Sequence, residues 1–258
     1  MNLLWDIGNT RIKWALHDSS SASVGFVASG DVPHQLDVTE ALGQVHSFIE
    51  SSLANAITGI WVVNVAGETV RKVVEQFVLQ RYSLSARFAQ REVSLPGLVN
   101  GYKDAAQLGA DRWAAMIGAV SLISEPVCVV DAGTAVTIDF ISQGKHLGGL
   151  ILPGLGLMQS ALFSATGDIE LFTHSLDEKR DLCELGIDTD TAVRNGAAQA
   201  IVGAIQFALS QKREQFGEFK LLLTGGDGSA LIPLLGCCAE DYRVNLVLQG
   251  LAEIADAN

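Results

Sequence analysis

The stretches LLWDIGNTRIKWAL (residues 3–16) and VCVVDAGTAVTIDF (residues 127–140) share one layout: an apolar strand, Asp-x-Gly, a turn bearing threonine, and a second strand. The two aspartates, Asp6 and Asp131, stand 125 residues apart in a chain of 258, close to half its length. A repeat on this scale constrains the fold more than any single element, because each copy must be built as the same kind of unit. Hairpins with glycine turns are common by themselves, so the weight lies on the recurrence. It predicts two similar α/β domains, residues 1–117 and 118–258, each presenting an aspartate at the end of its first strand. A cleft between two such domains is a usual place for a ligand.

The remaining pattern fits alternating strands and helices. VGFVA at 24–28 reads as a third strand, 38–53 as a helix, and GIWVVNVA at 59–66 as a buried strand. Val70, Val73, Val74, Phe77 and Val78 follow the spacing of an amphipathic helix. Residues 84–89 read as a short strand, and 103–124 as a helix carrying Leu108, Met116, Ile117 and Val120 toward a core. In the second half, GGLILPGLGLMQSAL (148–162) gives strand, Gly/Pro turn and helix. Residues 164–187 lack clear periodicity and read as a long loop. Residues 191–215 form a long helix, KLLLTGGDGS (220–229) a strand entering a glycine-rich turn, and VNLVL (244–248) a last strand.

A strand ending on Asp6 before Gly-Asn-Thr suits a nucleotide phosphate. Gly8 lets the backbone approach a ligand, and the turn amides with Asn9 and Thr10 can bond phosphate oxygens. A carboxylate repels bare phosphate, so Asp6 implies Mg²⁺, reached through water. Lys13 supplies a neutralising cation nearby. The chain lacks GxxxxGK[ST] and the protein-kinase signatures, so a nucleotide would be handled by paired aspartates instead.

GYKDAAQLGADRWAAM (101–116) sets Gly109 ahead of Asp111 and Arg112 at the beginning of an apolar helix. An aspartate in the first helical turn can be a simple dipole partner. The functional reading gives Arg112, a fork of donors, to a substrate carboxylate. It gives Asp111 the proton of a substrate hydroxyl attacking a γ-phosphate. Thr189 reads equally as part of a helix cap, and GGDG at 225–228 as a plain turn or a contact to adenine or ribose.

Composition bounds the rest. The formal net charge of −12, with no Lys/Arg run, excludes nucleic acid and anionic membrane as expected partners. No signal peptide or membrane span is read from the sequence. The four cysteines have no metal-ligand or disulfide spacing. The cytoplasm is the expected compartment.

The segments WDIGNTRIKW, GYKDAAQLGADRWAAM, VVDAGTAVTIDF, GGLILPGLGLMQSAL and TDTAVRNGAAQAI, taken together and in order, resemble type III pantothenate kinases. That family belongs to the superfamily of acetate and sugar kinases, heat-shock chaperones and actin. The resemblance implies two duplicated ribonuclease-H-like (actin-like ATPase) domains with mixed sheets and flanking helices. It implies ATP-dependent phosphorylation of pantothenate to 4′-phosphopantothenate, the first step of coenzyme A biosynthesis, by a homodimer using Mg²⁺ and a monovalent cation, K⁺ or NH₄⁺. Asp6, Ile7, Gly8, Asn9, Thr10, Arg11, Ile12 and Lys13 would form the ATP phosphate loop, and Thr134 would touch ATP. Tyr102, Gly109, Ala110, Asp111 and Arg112 would hold pantothenate, with Asp111 as general base. Asp131 would bind the monovalent cation, and Thr189 would complete the pantothenate pocket across the dimer interface. Where the family often carries a proline between the tyrosine and Gln-Leu-Gly, this chain has Asp104, Ala105 and Ala106, which removes one source of local rigidity. Two other readings stand beside this one: a kinase of the same superfamily acting on another small hydroxy acid, and a non-catalytic regulatory or accessory protein of the same fold.

Overall fold

The apolar alternation at the N-terminus produces strand β1 (Asn2–Ile7), whose Leu3, Trp5 and Ile7 enter one core while Leu4 is buried on the opposite face. The computed structural model describes residues 1–20, 25–33, 37–49, 53, 55–90, 98–123, 126–165 and 182–258. Contacts divide these into two units, Met1–Leu122 with Leu246–Asn258, and Ile123–Asn245. The sequence reading places a single cut between 117 and 118 instead.

In the first unit, β1 pairs antiparallel with β2 (Arg11–His17), which pairs antiparallel with β3 (Ala28–Pro33). On its other side β1 pairs parallel with β4 (Gly59–Asn64), followed by β5 (Ala86–Phe88). Helices α1 (Val38–Phe48) and α2 (Glu68–Tyr82) cover the Trp5 face through Leu42, Val45, Val74 and Val78. Helices α3 (Ala110–Leu122) and α7 (Leu246–Asp256) pack against the other side of the sheet, where Leu4, Ala15, Trp61 and Val63 are buried.

Helices α3 and α7 meet through glycine. A Cβ on Gly250 would lie 1.7 Å from the Ala114 carbonyl oxygen, and one on Gly118 would lie 2.5 Å from that of Leu246. Only glycine permits backbones this close. His17 at the end of β2 meets the Asp256 carboxylate at 2.9 Å, tying the last turn of α7 to the sheet.

The second unit repeats the plan. Strand β6 (Val127–Ala132) pairs antiparallel with β7 (Ala135–Ser142), which pairs with β8 (Lys145–Pro153). Parallel β9 (Lys220–Thr224) flanks β6 on its other side. Cys128, Val130, Ile138 and Phe140 face α5 (Thr189–Phe216) and its Ala198, Ile201 and Ile205. Helix α4 (Leu155–Ala165) follows β8, and α6 (Gly228–Leu235) follows β9. Both sheets therefore carry the order strand three, strand two, strand one, strand four, extended in the first unit by β5. Among the described residues, no helix is long and apolar enough to cross a membrane.

Several sequence expectations change. VNLVL is not a strand: Leu246 begins α7, and its apolar run continues through Leu251, Ala252, Ile254 and Ala255 at helical spacing. A five-residue apolar run carries no period of its own, so strand and helix look alike in it. The helix expected over 103–124 starts only at Ala110, because a short 3₁₀ turn, Ala105–Gln107, precedes it. Strand β3 runs Ala28–Pro33, beginning at the last residue of the expected 24–28. As an edge strand it needs only Val32 in the core, and Asp31 pairs with Arg11. Helix α1 ends at Phe48, and most of the expected loop over 164–187 lies outside the described residues.

Candidate active site

Asp6 and Asp131 occupy the same place in their sheets. Each is the next-to-last residue of a six-residue strand, between an antiparallel neighbour and a parallel one. Asp6 lies across from Lys13 and Val63, and Asp131 across from Thr137 and Thr224. In both, the turn glycine donates back to the following strand: Gly8 N to Arg11 O at 3.1 Å, and Gly133 N to Ala135 O at 3.0 Å.

Around Asp6, strand alternation places Lys13 and Asp31 in one row with it on a single sheet face, the face that carries α3 and α7. Asn9, Thr10 and Arg11 are exposed at the turn. The Arg11 guanidinium is ion-paired with Asp31. Ile7 and Ile12 are fully buried in the core, so only their backbones remain for a ligand.

At the start of α3 the structure brings together residues that the sequence places ten apart. Arg112 is 5% exposed, and its Nη1 donates to the Tyr102 hydroxyl at 2.8 Å, with the guanidinium over the ring at 5.6 Å from its centroid. A buried arginine persists only with partners. Asp111 is half-buried, and its Oδ1 accepts the Arg112 amide at 2.7 Å. That oxygen also lies 2.5 Å from where a Cβ on Gly109 would stand, so glycine is what lets the carboxylate fold back there. Side-chain bonds hold the loop ahead of α3. Asp104 caps the 3₁₀ turn by accepting from Ala106 N at 3.1 Å and from Gln107 Nε2 at 3.2 Å. Asn100 accepts from Tyr102 N at 2.9 Å.

In the second unit, glycines crowd the Asp131 turn. A Cβ on Gly154 would stand 2.0 Å from the Gly133 carbonyl oxygen, and Gly154 N donates to Thr134 O at 2.9 Å. The Gly/Pro turn of GGLILPG therefore packs on the loop carrying exposed Thr134. Gly225 of the GGDG turn has φ +88°, and its Cβ would stand 2.4 Å from Asp131 Oδ1. Tyr242 donates to Gly225 O at 2.8 Å, a contact sequence reasoning missed because nothing in the local pattern links residues 17 apart. Burial pushes the Asp227 carboxyl up from its ordinary value. Among the described residues no group of three or more His, Cys, Asp or Glu side chains gathers into a metal site.

Thr189 opens α5 but does not cap it. Asp188 does, accepting from Thr191 N at 2.8 Å. Thr189 instead lines an apolar groove of about 1030 Å³ between α4 and α5, with Leu157, Met158, Leu162 and Ile187. It belongs to the second unit, whereas Tyr102 and Arg112 belong to the first.

The family model for type III pantothenate kinase matches residues 2–211. The chain belongs to the type III pantothenate kinase family. A type III pantothenate kinase from Polaromonas sp. (strain JS666 / ATCC BAA-500) is 37% identical over 261 residues, covering 98% of this chain and 96% of the relative. Among solved structures, one described as a Baf family transcriptional activator from Campylobacter jejuni superposes with TM-score 0.61 at 23% identity, covering 99% of this chain and 98% of that one. An activator of 2-hydroxyisocaproyl-CoA dehydratase from Clostridium difficile, with bound ADPNP, gives 0.52 at 12% identity, covering 99% and 94%. At these identities the structures speak for the fold alone: the mixed-sheet architecture of the actin-like ATPases and sugar kinases. The family assignment rests on the sequence matches.

Proposed function

We infer that this chain transfers the γ-phosphate of ATP to the primary hydroxyl of pantothenate, the first step of coenzyme A biosynthesis. The observation that carries the reading is Arg112, buried and hydrogen-bonded to the Tyr102 hydroxyl, immediately beside Asp111 at the first turn of α3. Pantothenate has one carboxylate and one primary hydroxyl. The guanidinium and phenol grip the carboxylate. As the hydroxyl oxygen attacks the γ-phosphorus, Asp111 takes its proton, the bond to the β-phosphate oxygen breaks, and ADP leaves. Positioning and charge neutralisation supply most of the acceleration, and the base a smaller share.

The Gly8–Thr10 amides and hydroxyl, with Lys13, are assigned to the ATP phosphates, and Thr134 to a nucleotide contact. Across the sheet from Asp131 stand Thr137 and Thr224, oxygen donors of the kind that suits hard cations, and Gly225 keeps side-chain bulk away from it. Asp6 would hold Mg²⁺ through water, and Asp131 a monovalent cation, K⁺ or NH₄⁺. Mg²⁺ supplies neutralisation of phosphate charge. The exposed apolar groove, with Ile187 99% exposed at its edge, supports a homodimer in which Thr189 completes the pantothenate pocket of the partner. The net charge of −12 favours a small-molecule enzyme of the cytoplasm over a nucleic-acid-binding regulator.

The test is a coupled assay of purified protein with pantothenate, Mg·ATP and K⁺, the product identified by mass. The expected result is one ADP per phosphopantothenate formed. ATP turnover only with a different hydroxy acid, or none with any acceptor, would overturn it.

A further inference from the structure

The turn after β9 reads Thr224-Gly225-Gly226-Asp227, and its two adjacent glycines leave one peptide bond free of side-chain restraint on either side. A peptide flanked by glycines rotates at little steric cost, so its orientation must be set by something else. Two donors hold it here: the Gly228 amide, across the turn at 3.2 Å, and the Tyr242 phenol. The phenol donates to Gly225 O at 2.8 Å. The tyrosine is itself anchored: its backbone forms a bridge with Leu223, Arg243 N donates to Leu223 O at 2.8 Å, and its ring lies where a Cβ on Gly228 would come within 2.8 Å.

A planar trans peptide points its C=O and the next N–H in opposite directions. With the Gly225 carbonyl held toward Tyr242, the Gly226 N–H is aimed away from it, and Gly226 is exposed. On the other side of the turn, Gly225 lies against Asp131 Oδ1. Were the peptide to rotate, a carbonyl oxygen would replace a donor on this face and repel any phosphate or ribose oxygen brought there.

We propose that Tyr242 is a positioning residue for the nucleotide face of the second unit: its hydroxyl, beside the Gly228 amide, secures the Gly225–Gly226 peptide so that a backbone donor, and not an acceptor, faces the nucleotide. This rests on the reading that the Asp131 side of the second unit serves ATP. Burial first, then the Asp131 and Asp227 carboxylates, hold the phenol above its ordinary value, so it stays protonated and can only donate to the carbonyl.

The experiment compares wild type, Tyr242→Phe, and the double variant Tyr242→Phe/Gly226→Ala in the full chain. The readouts are melting temperature with and without Mg·ADP, and the KM for ATP and for pantothenate. A Cβ on Gly226 meets nothing within 4 Å, and its φ lies outside the left-handed range, so alanine fits the native turn and disfavours the rotated one. Tyr242→Phe should melt close to wild type without ligand, lose part of the Mg·ADP stabilisation, and raise KM for ATP about fivefold, the equivalent of about 1 kcal/mol for one hydrogen bond. KM for pantothenate should not move. The double variant should regain most of the loss, which a merely structural tie would not give.

Wild-type nucleotide behaviour in Tyr242→Phe, a failure of that variant to fold, an equal loss of melting temperature with and without Mg·ADP, or no recovery in the double variant would each overturn the proposal. Asp131→Asn separates it from the reading beneath. If that substitution leaves Mg·ADP stabilisation and cation dependence intact, the assignment of this face to ATP is at fault. If it impairs them while Tyr242→Phe does not, only the lock is wrong.

Discussion

Asp111 and Arg112 are neighbours in sequence with different surroundings. The guanidinium is buried against Tyr102, and the carboxylate is half-buried and folded back over Gly109. That division suits a fixed grip on one end of a small acid and a reachable base at the other. Replacing the base should cost chemistry and little else. Asp111→Asn is expected to lower kcat by 10²–10⁴-fold, about 3–5 kcal/mol of barrier, with nucleotide-induced thermal stabilisation preserved. Steady-state kinetics beside a melting series checks this, and near-normal turnover would remove Asp111 from the proton transfer. The Asp-x-Gly turns and the Gly-Ala-Asp-Arg segment are legible as candidates because residue type and local spacing alone carry that signal. Tyr242 was not legible. Its partner carbonyl is 17 residues away, and a hydroxyl aimed at a backbone oxygen leaves no pattern in sequence. The side-chain staples of the Tyr102 loop, Asn100 and Asp104, were hidden for the same reason.

At the scale of elements, the position of Asp111 depends on how α3 is seated, and α3 is seated against α7. Ala114 and Gly118 on one helix meet Leu246 and Gly250 on the other, with no room for a methyl group. Gly250→Ala would press a Cβ onto the Ala114 carbonyl. Overpacking of this kind costs about 1–3 kcal/mol, and a backbone contact that cannot yield belongs at the upper end. The expected result is a melting temperature lower by roughly 6–12 °C in a chain of this size, read by circular dichroism. An unchanged melting temperature would show that the two helices are free to move apart. This contact explains why the last element was misread. VNLVL is apolar enough for a buried strand, and what makes it a helix is the continuation through Gly250 and the groove that α3 offers. Tertiary packing decides such cases. Strongly periodic elements such as α2, with Val70, Val74, Phe77 and Val78, could be read directly because their spacing already encodes the buried face.

At the scale of the molecule, the duplication in the sequence became two sheets of matching strand order, each with its aspartate at the same register position. The chain does not divide at a single point, since the C-terminal helix joins the first unit. A linear pattern cannot announce that return. On the proposed function, this kinase selects its acceptor by a carboxylate held on Arg112 and Tyr102. The most direct measurement is kcat/KM for pantothenate against its alcohol analogue, pantothenol, which keeps the phosphorylated hydroxyl and lacks the charge. Losing a charge-assisted contact at a buried guanidinium costs about 1.5–3 kcal/mol, so pantothenol should be a poorer substrate by about 10–10²-fold, with the difference shrinking in Arg112→Gln. Equal kcat/KM for the two compounds in the unaltered enzyme would contradict the account.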